Sequence, residues 1–311
     1  MPAPASVEPP RSHGYGPAGR SAWLDVDWRR HRRLVRIEDR LVNVVELGSG
    51  PPLLFVHGLG GCWQNWLENL PELARDHRVI ALDLPGFGAS EMPAAAVSVA
   101  GYARMLDLLC DRLAVDAAAV VGNSMGGFVA AELAIAHPQR VERLVLVSAA
   151  GLHIAELRLE RALQRLRRVD RAFARYGGFV AARSTTFARR ARLRRIVFAG
   201  VAAHPPLLPA PLVAEQVAGA GRPAFMPALR SMAGYPLRHR LGQIGCPTLV
   251  VWGERDRIVP VRDATAFQRL IPDARKIVYP DTGHVPMLER PARFNADLRA
   301  FLQQAPPASA G

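Results

Sequence analysis

The sequence has few cysteines and no long apolar run. Its 311 residues include only Cys62, Cys110 and Cys246, which are widely spaced and form no C-x-x-C pair. An odd number at this spacing argues against a disulfide framework and a structural zinc site, so we interpret all three as small apolar residues. No stretch reaches the roughly 18 to 20 apolar residues of a membrane span, and the first 22 residues lack the apolar core of a signal peptide. These absences predict a cytoplasmic protein without a transmembrane segment.

Lysine is nearly absent too: Lys276 is the only one, so the net charge of +13 comes almost entirely from arginine. Thirteen arginines lie between residues 151 and 200, against only Glu156, Glu160 and Asp170. We interpret this stretch as helices with solvated basic faces, which also allows weak contact with an anionic membrane surface. No DNA- or RNA-binding motif accompanies the charge, so no specific nucleic-acid partner is expected.

Short apolar strands alternate with helical segments along most of the chain. Strands are predicted at 33–37, 41–47, 53–56, 78–82, 117–121, 141–147, 247–252 and 276–279, and helices at about 63–75, 97–113, 128–134, 261–271 and 291–303. This alternation indicates βαβ units and an α/β protein with a mostly parallel sheet.

The alternation is interrupted once. Residues 152–238 are basic and helical, and then rich in proline, which predicts a helical insertion between two parts of one core at 33–151 and 239–304. Residues 1–32 are predicted to be a disordered or loosely ordered extension, and residues 305–311 a flexible tail.

A strand, a sharp turn and a helix surround the motif Gly122-Asn123-Ser124-Met125-Gly126. Such a turn strains the backbone of the serine and requires glycine two residues before and two residues after it, where a Cβ would collide with neighbouring backbone. The turn exposes the serine hydroxyl above the sheet and lets the amide of Met125 bind a developing oxyanion. Ser124 is therefore the candidate nucleophile.

A serine hydroxyl needs a base, and the base needs a partner that fixes its tautomer. Asp256 and His284 each follow a predicted strand, and loops at the carboxyl ends of parallel strands converge on one crevice. We therefore expect both side chains to meet Ser124. Glu254 and Asp281 remain the alternatives to Asp256 as the acid.

The segment His57-Gly58-Leu59-Gly60-Gly61 also follows a strand. Its glycines let the backbone approach a substrate closely, so the amide of Leu59 is the candidate second oxyanion donor beside that of Met125. We expect His57 to be structural, holding this loop by hydrogen bonds.

Together these segments closely resemble the α/β-hydrolase fold superfamily. The matching motifs are HGLGG at 57–61, DLPGFGAS at 83–90, GNSMGG at 122–127, GERDRIVP at 253–260 and DTGHVPMLERP at 281–291. The resemblance implies a mostly parallel, doubly wound sheet, with residues 152–238 as the inserted helical cap. It also implies Ser124 as nucleophile, His284 as general base and then acid, and Asp256 as the orienting acid. No metal ion or organic cofactor is implied.

The resemblance leaves the reaction open. Hydrolysis of a carboxylic ester of small or medium acyl size is the first hypothesis. Asn123 resembles the group that hydrolyses a carbon–carbon bond in meta-cleavage products, but Val285 stands where that group commonly has an aromatic residue. A binding module without catalysis is the third hypothesis. Ser124 argues against the branches with an aspartate nucleophile, and the sequence determines neither the substrate nor the oligomeric state.

Overall fold

The computed structural model describes residues 14–152, 188–218 and 223–304. Part of the predicted cap, including its arginines between 158 and 183, and the predicted tail at 305–311 lie outside the described residues. Among the residues described, no helix is both long and apolar enough to cross a membrane.

Eight strands form one sheet in the spatial order β1-β2-β4-β3-β5-β6-β7-β8. They are β1 (Arg32–Ile37), β2 (Arg40–Leu47), β3 (Pro52–Val56), β4 (Arg78–Leu82), β5 (Ala118–Asn123), β6 (Val141–Val147), β7 (Thr248–Gly253) and β8 (Ala274–Tyr279). Strand β2 pairs antiparallel with β1 and β4, and all other pairs are parallel. The predicted mostly parallel sheet is confirmed.

Helices cover both faces of this sheet. The α-helices of the described residues are α1 (Leu70–Leu73), α2 (Val99–Arg112), α3 (Met125–Ala136), α4 (Ala191–Val197), α5 (Ala210–Ala218), α6 (Phe225–Met232), α7 (Arg262–Leu270), α8 (Pro286–Glu289) and α9 (Pro291–Leu302). Short 3-10 helices lie at Ala22–Asp25, Trp28–Arg30, Trp63–Trp66, Pro138–Arg140, Pro205–Leu207, Leu237–His239 and Leu241–Gln243.

Successive residues of β3 point into two separate cores. Leu54 and Val56 belong to the cluster that also contains the buried faces of α2, α3 and α7. Leu53 and Phe55 belong to the second cluster, on the side of α9. Because side chains of a strand alternate between faces, a central strand covered on both sides is apolar throughout, as its sequence is.

The prediction of one helix over about 63–75 is wrong. The segment forms a 3-10 turn and the single-turn helix α1, joined at Asn69. Pro71 has no amide hydrogen to extend a helix from the preceding turn. Asn69 instead donates from Nδ2 to Asn295 Oδ1 at 2.8 Å and to Met287 O at 3.2 Å, which ties the break to the other end of the chain.

Residues 1–32 are predicted to be a disordered or loosely ordered extension, and from residue 14 onward the structure shows this segment in contact with the core. Trp23 is buried, and its Nε1 donates to Glu68 Oε1 at 2.9 Å, an oxygen that also accepts from Ser21 Oγ at 2.7 Å. The rings of Trp28 and Trp63 pack with their centroids 5.0 Å apart and their planes tilted by 49°. These aromatic anchors hold the segment on the core despite its proline- and glycine-rich composition.

Candidate active site

Ser124 lies between β5 and α3 with φ 54° and ψ −117°, a conformation that L-residues rarely adopt. The glycines of the motif make it possible. A Cβ on Gly122 would collide with the backbone of Gly126, and a Cβ on Gly126 would collide with the carbonyl oxygens of Val56 and His57. The strained turn predicted from the sequence is present.

The ring of His284 meets the side chain of Asp256. His284 Nδ1 lies 2.7 Å from Asp256 Oδ2, and the two side chains are only 5% and 0% exposed. The other oxygen, Oδ1, accepts the backbone N–H groups of Ile258 at 2.8 Å and Val259 at 2.9 Å. Asp256 is therefore fixed by its own loop and presents one oxygen to the histidine.

The two alternative acids have other partners. Asp281 Oδ1 lies 2.8 Å from His204 Nε2 and 2.6 Å from Arg255 NH1. Glu254 Oε2 accepts the amide N–H of Asp281 at 3.2 Å. Of the three acids considered from the sequence, only Asp256 contacts the ring of His284.

Asn123 joins the serine turn to the histidine loop. Its Nδ2 donates to Val147 O at 3.0 Å and to His284 O at 3.3 Å. The residue before the candidate nucleophile thus contacts the candidate base through the main chain. Within the described part of the chain, no hydrogen bond joins the Ser124 hydroxyl to the His284 ring, and the link between the two loops is this side chain of Asn123.

The loop after β3 is held in place by His57. Leu84 donates its N–H to His57 Nε2 at 2.9 Å, so Nδ1 carries the ring hydrogen and donates to Gly58 O at 2.7 Å. Complete burial lowers the pKa of this histidine, although the nearby Asp83 opposes the shift. A neutral ring in this tautomer satisfies both contacts.

The glycines of this loop lie close to the serine and to the insertion. A Cβ on Gly58 would stand 3.1 Å from Ser124 Cβ. Gly60 has φ +74°, and a Cβ there would stand 3.2 Å from the ring of Phe225, at the start of α6. The loop that carries the Leu59 amide is therefore enclosed between the serine turn and the predicted cap.

Glu289 is a buried acid that the sequence reasoning missed. Its side chain is 0% exposed and accepts the N–H groups of Gly283 at 2.9 Å and Val285 at 3.3 Å, the residues on either side of His284. Burial raises the pKa of its carboxyl, and these donors oppose the shift. The sequence signal that could have found it is the position of Glu289 directly after the apolar run Pro286-Met287-Leu288, where an acid is expected to be buried.

The predicted cap also contacts the histidine directly, since the N–H of His284 donates to Val201 O at 2.7 Å. No group of three or more His, Cys, Asp or Glu side chains within the described ranges is placed to hold a metal ion.

Two relatives show the range of proteins that this chain resembles. A 2-hydroxymuconate semialdehyde hydrolase from Pseudomonas sp. strain CF600 is 33% identical over 281 residues, which are 85% of this chain and 90% of the relative. A dihydrolipoyllysine-residue acetyltransferase component of an acetoin cleaving system from Pseudomonas putida is 34% identical over 276 residues. That match covers 85% of this chain but only 67% of the acetyltransferase component.

A solved structure extends the comparison to esterases. The thermophilic esterase from Thermogutta terrifontis superposes with a TM-score of 0.70 and 26% identity, over 88% of this chain and 98% of the esterase. The profile of the alpha/beta hydrolase fold family matches residues 51–291, which include the serine turn, the acid loop and the histidine loop. The chain belongs to the alpha/beta hydrolase fold family.

Proposed function

We propose that this protein is a serine hydrolase that cleaves a carboxylic ester of small or medium acyl size. The observation that carries the proposal is the 2.7 Å contact of His284 Nδ1 with Asp256 Oδ2, in a chain that also holds a serine at φ 54° in a strand–helix turn. A buried carboxylate that accepts from Nδ1 leaves Nε2 of the ring free of hydrogen, which is the form that can accept a proton from Ser124.

The proposed reaction proceeds in two steps, acylation and then hydrolysis of the acyl-enzyme. Ser124 Oγ attacks the ester carbonyl and its proton passes to His284 Nε2, while the amides of Leu59 and Met125 stabilise the negative oxygen. His284 then protonates the departing alcohol, which leaves an acyl group on Ser124. A water molecule that loses its proton to His284 hydrolyses this acyl-enzyme and releases the acid.

Hydrolysis of a carbon–carbon bond in a vinylogous diketone acid is the second candidate. It is favoured by the 33% identity to the 2-hydroxymuconate semialdehyde hydrolase, which extends over nearly the whole relative. Asn123 does not decide between the two, because its side chain has a structural role here between β6 and the histidine loop. Ester hydrolysis stays first because Val285 stands after His284.

Labelling with a fluorophosphonate tests the catalytic serine. We expect the folded protein to take up one label, and the Ser124→Ala variant to take up none and to lose turnover while keeping its circular dichroism. Ser148→Ala is the matched control, because Ser148 also lies at a strand end with positive φ, 47°. A folded protein that takes up no label would contradict both enzymatic hypotheses and leave the binding module.

Paired kinetics separate the two reactions. Steady-state rates on p-nitrophenyl esters of increasing acyl length are compared with the loss of colour of a meta-cleavage product. Turnover of esters far above that of the coloured dienoate supports the first candidate. The reverse ratio would transfer the proposal to carbon–carbon hydrolysis.

A further inference from the structure

Glu289 collects hydrogen-bond donors from three separate parts of the chain. The amides of Gly283 and Val285 come from the histidine loop, and that of Ala203, at 2.8 Å from Oε2, comes from the insertion. The fourth donor is the hydroxyl of Tyr15, at 2.9 Å from Oε2. A carboxylate has about four acceptor positions, so this buried acid is saturated by donors.

Tyr15 belongs to the segment before the core. Its hydroxyl also accepts the N–H of His204 at 3.0 Å, and its ring packs edge-on at 5.3 Å from the His204 ring. The Arg290 guanidinium lies over the Tyr15 ring, 5.0 Å from its centroid. Gly16 N–H donates to the carbonyl oxygen of Glu289 at 2.7 Å. Residues 15 and 16 thus bind both the side chain and the backbone carbonyl of Glu289.

These contacts act on the backbone that carries His284. Gly283 and Val285 flank the histidine, so the orientation of Glu289 determines where both neighbouring peptide groups lie. Gly283 packs closely against the predicted insertion, because a Cβ there would stand 2.8 Å from Val201 O and from Ala203 N. A displaced carboxylate therefore displaces the histidine loop.

We propose that Tyr15 is a positioning residue for the reaction: by holding Glu289, it keeps the His284 loop in the arrangement that proton transfer requires. The residue never touches the substrate. The proposal rests on the proposed function, in which His284 is the general base.

The variant Tyr15→Phe removes one hydroxyl and keeps the ring between His204 and Arg290. Glu289 loses a donor and the His204 amide loses its acceptor, while the core is unchanged. Hydrogen bonds to charged groups are among the stronger ones, so we expect kcat to fall about tenfold. We expect KM to change by less than about twofold, because misplacing the base impairs the chemical step more than substrate binding.

Tyr279→Phe is the matched control. Tyr279 is a buried tyrosine whose hydroxyl, like that of the partly buried Tyr15, donates to a carboxylate, Asp297 Oδ2 at 2.6 Å, but its partner lies on α9 and not on the histidine loop. Rates are divided by the number of active sites titrated with the fluorophosphonate, so that any unfolded fraction is not counted. The control is expected to lose thermal stability and to keep kcat.

Hydrogen exchange of the peptide covering residues 281–289 gives a readout that does not depend on turnover. We expect faster exchange there in Tyr15→Phe and unchanged exchange in Tyr279→Phe. Glu289→Gln replaces one carboxylate oxygen by an NH2 group, which then faces backbone N–H groups that it cannot accept from. We expect this variant to lose more activity than Tyr15→Phe.

The outcomes separate the two proposals. Three results would overturn the role of Tyr15. They are a kcat per titrated site of Tyr15→Phe within twofold of the wild type, an equal loss of kcat in Tyr279→Phe, and unchanged hydrogen exchange at 281–289 in Tyr15→Phe. Failure of the wild type to take up the fluorophosphonate would instead overturn the proposed function. In that case exchange at 281–289 still decides whether Tyr15 holds the loop.

Discussion

Replacing Asp256 by asparagine changes a single atom of the proposed triad and leaves its shape intact. In the structure Oδ1 accepts two backbone amides at 2.8 and 2.9 Å, whereas Oδ2 faces His284 Nδ1 at 2.7 Å. Because both amides need an oxygen, the asparagine must keep its oxygen on them. Its NH2 group is then turned toward the histidine.

A histidine that faces an N–H donor must accept at Nδ1, so it carries its hydrogen on Nε2. In that tautomer His284 cannot take the proton of Ser124. We expect kcat to fall by about 10⁴-fold, which corresponds to about 5 kcal/mol in activation free energy. We attribute the loss to the tautomer alone, since asparagine has nearly the same volume as the aspartate whose side chain is buried here.

Turnover of a p-nitrophenyl ester measures the effect, with circular dichroism and thermal unfolding to show that the variant is folded. Asp281→Asn is the control: Asp281 contacts His204 and Arg255, so we expect its turnover to stay within tenfold of the wild type. Activity of Asp256→Asn within tenfold of the wild type, together with a larger loss in Asp281→Asn, would refute the assignment of the acid.

Two further predictions concern the loop after β3. Phe225→Ala should open the space beside Gly60 and shift the ratio of kcat/KM for long over short acyl esters by about tenfold, and an unchanged chain-length profile would remove Phe225 from the acyl site. Burial lowers the pKa of His57 in the folded protein. As the pH falls below about 6.5, the pKa of an unperturbed histidine, the unfolded chain gains a proton that the folded protein does not. The free energy of unfolding therefore falls by at most about 1.4 kcal/mol for each pH unit. Urea unfolding at pH 7.5 and 5.5 should show this decrease in the free energy of unfolding in the wild type and a smaller decrease in His57→Gln. Equal decreases in the two proteins would mean that a group other than His57 causes the pH dependence.

Local sequence signals were sufficient for the sheet and for the serine turn. The strands around β5 are continuous apolar runs because they are covered on both faces. Gly122 is required by contact with Gly126, four residues along the chain, whereas Gly126 is required by the distant carbonyl groups of Val56 and His57 and was found from the motif alone. The loops with Asp256 and His284 could be placed from topology, since both follow parallel strands.

Interactions between segments that are distant in the sequence could not be predicted from such local signals. Trp23 and Glu68 are 45 residues apart, and Tyr15 and Glu289 are 274 apart, so no periodic pattern connects them. A composition rich in proline and glycine predicted a disordered or loosely ordered segment, and it gave no sign of the contacts that Trp23 and Trp28 make with the core. The contacts of Asn69 were hidden likewise, because its partners lie more than 200 residues away, although Pro71 was a local signal for the break itself.

The proposed base is therefore supported from three directions. Asp256 orients its ring from the core, Val201 accepts its backbone N–H from the insertion, and Glu289 binds the peptide groups on either side. Two of these supports involve the insertion, because Glu289 also binds Ala203. Val201 and Ala203 of the predicted insertion thus contribute to the placement of the His284 loop. Substitutions in residues 201–204 should consequently alter the rate of the chemical step, whereas those near Phe225 should alter substrate preference.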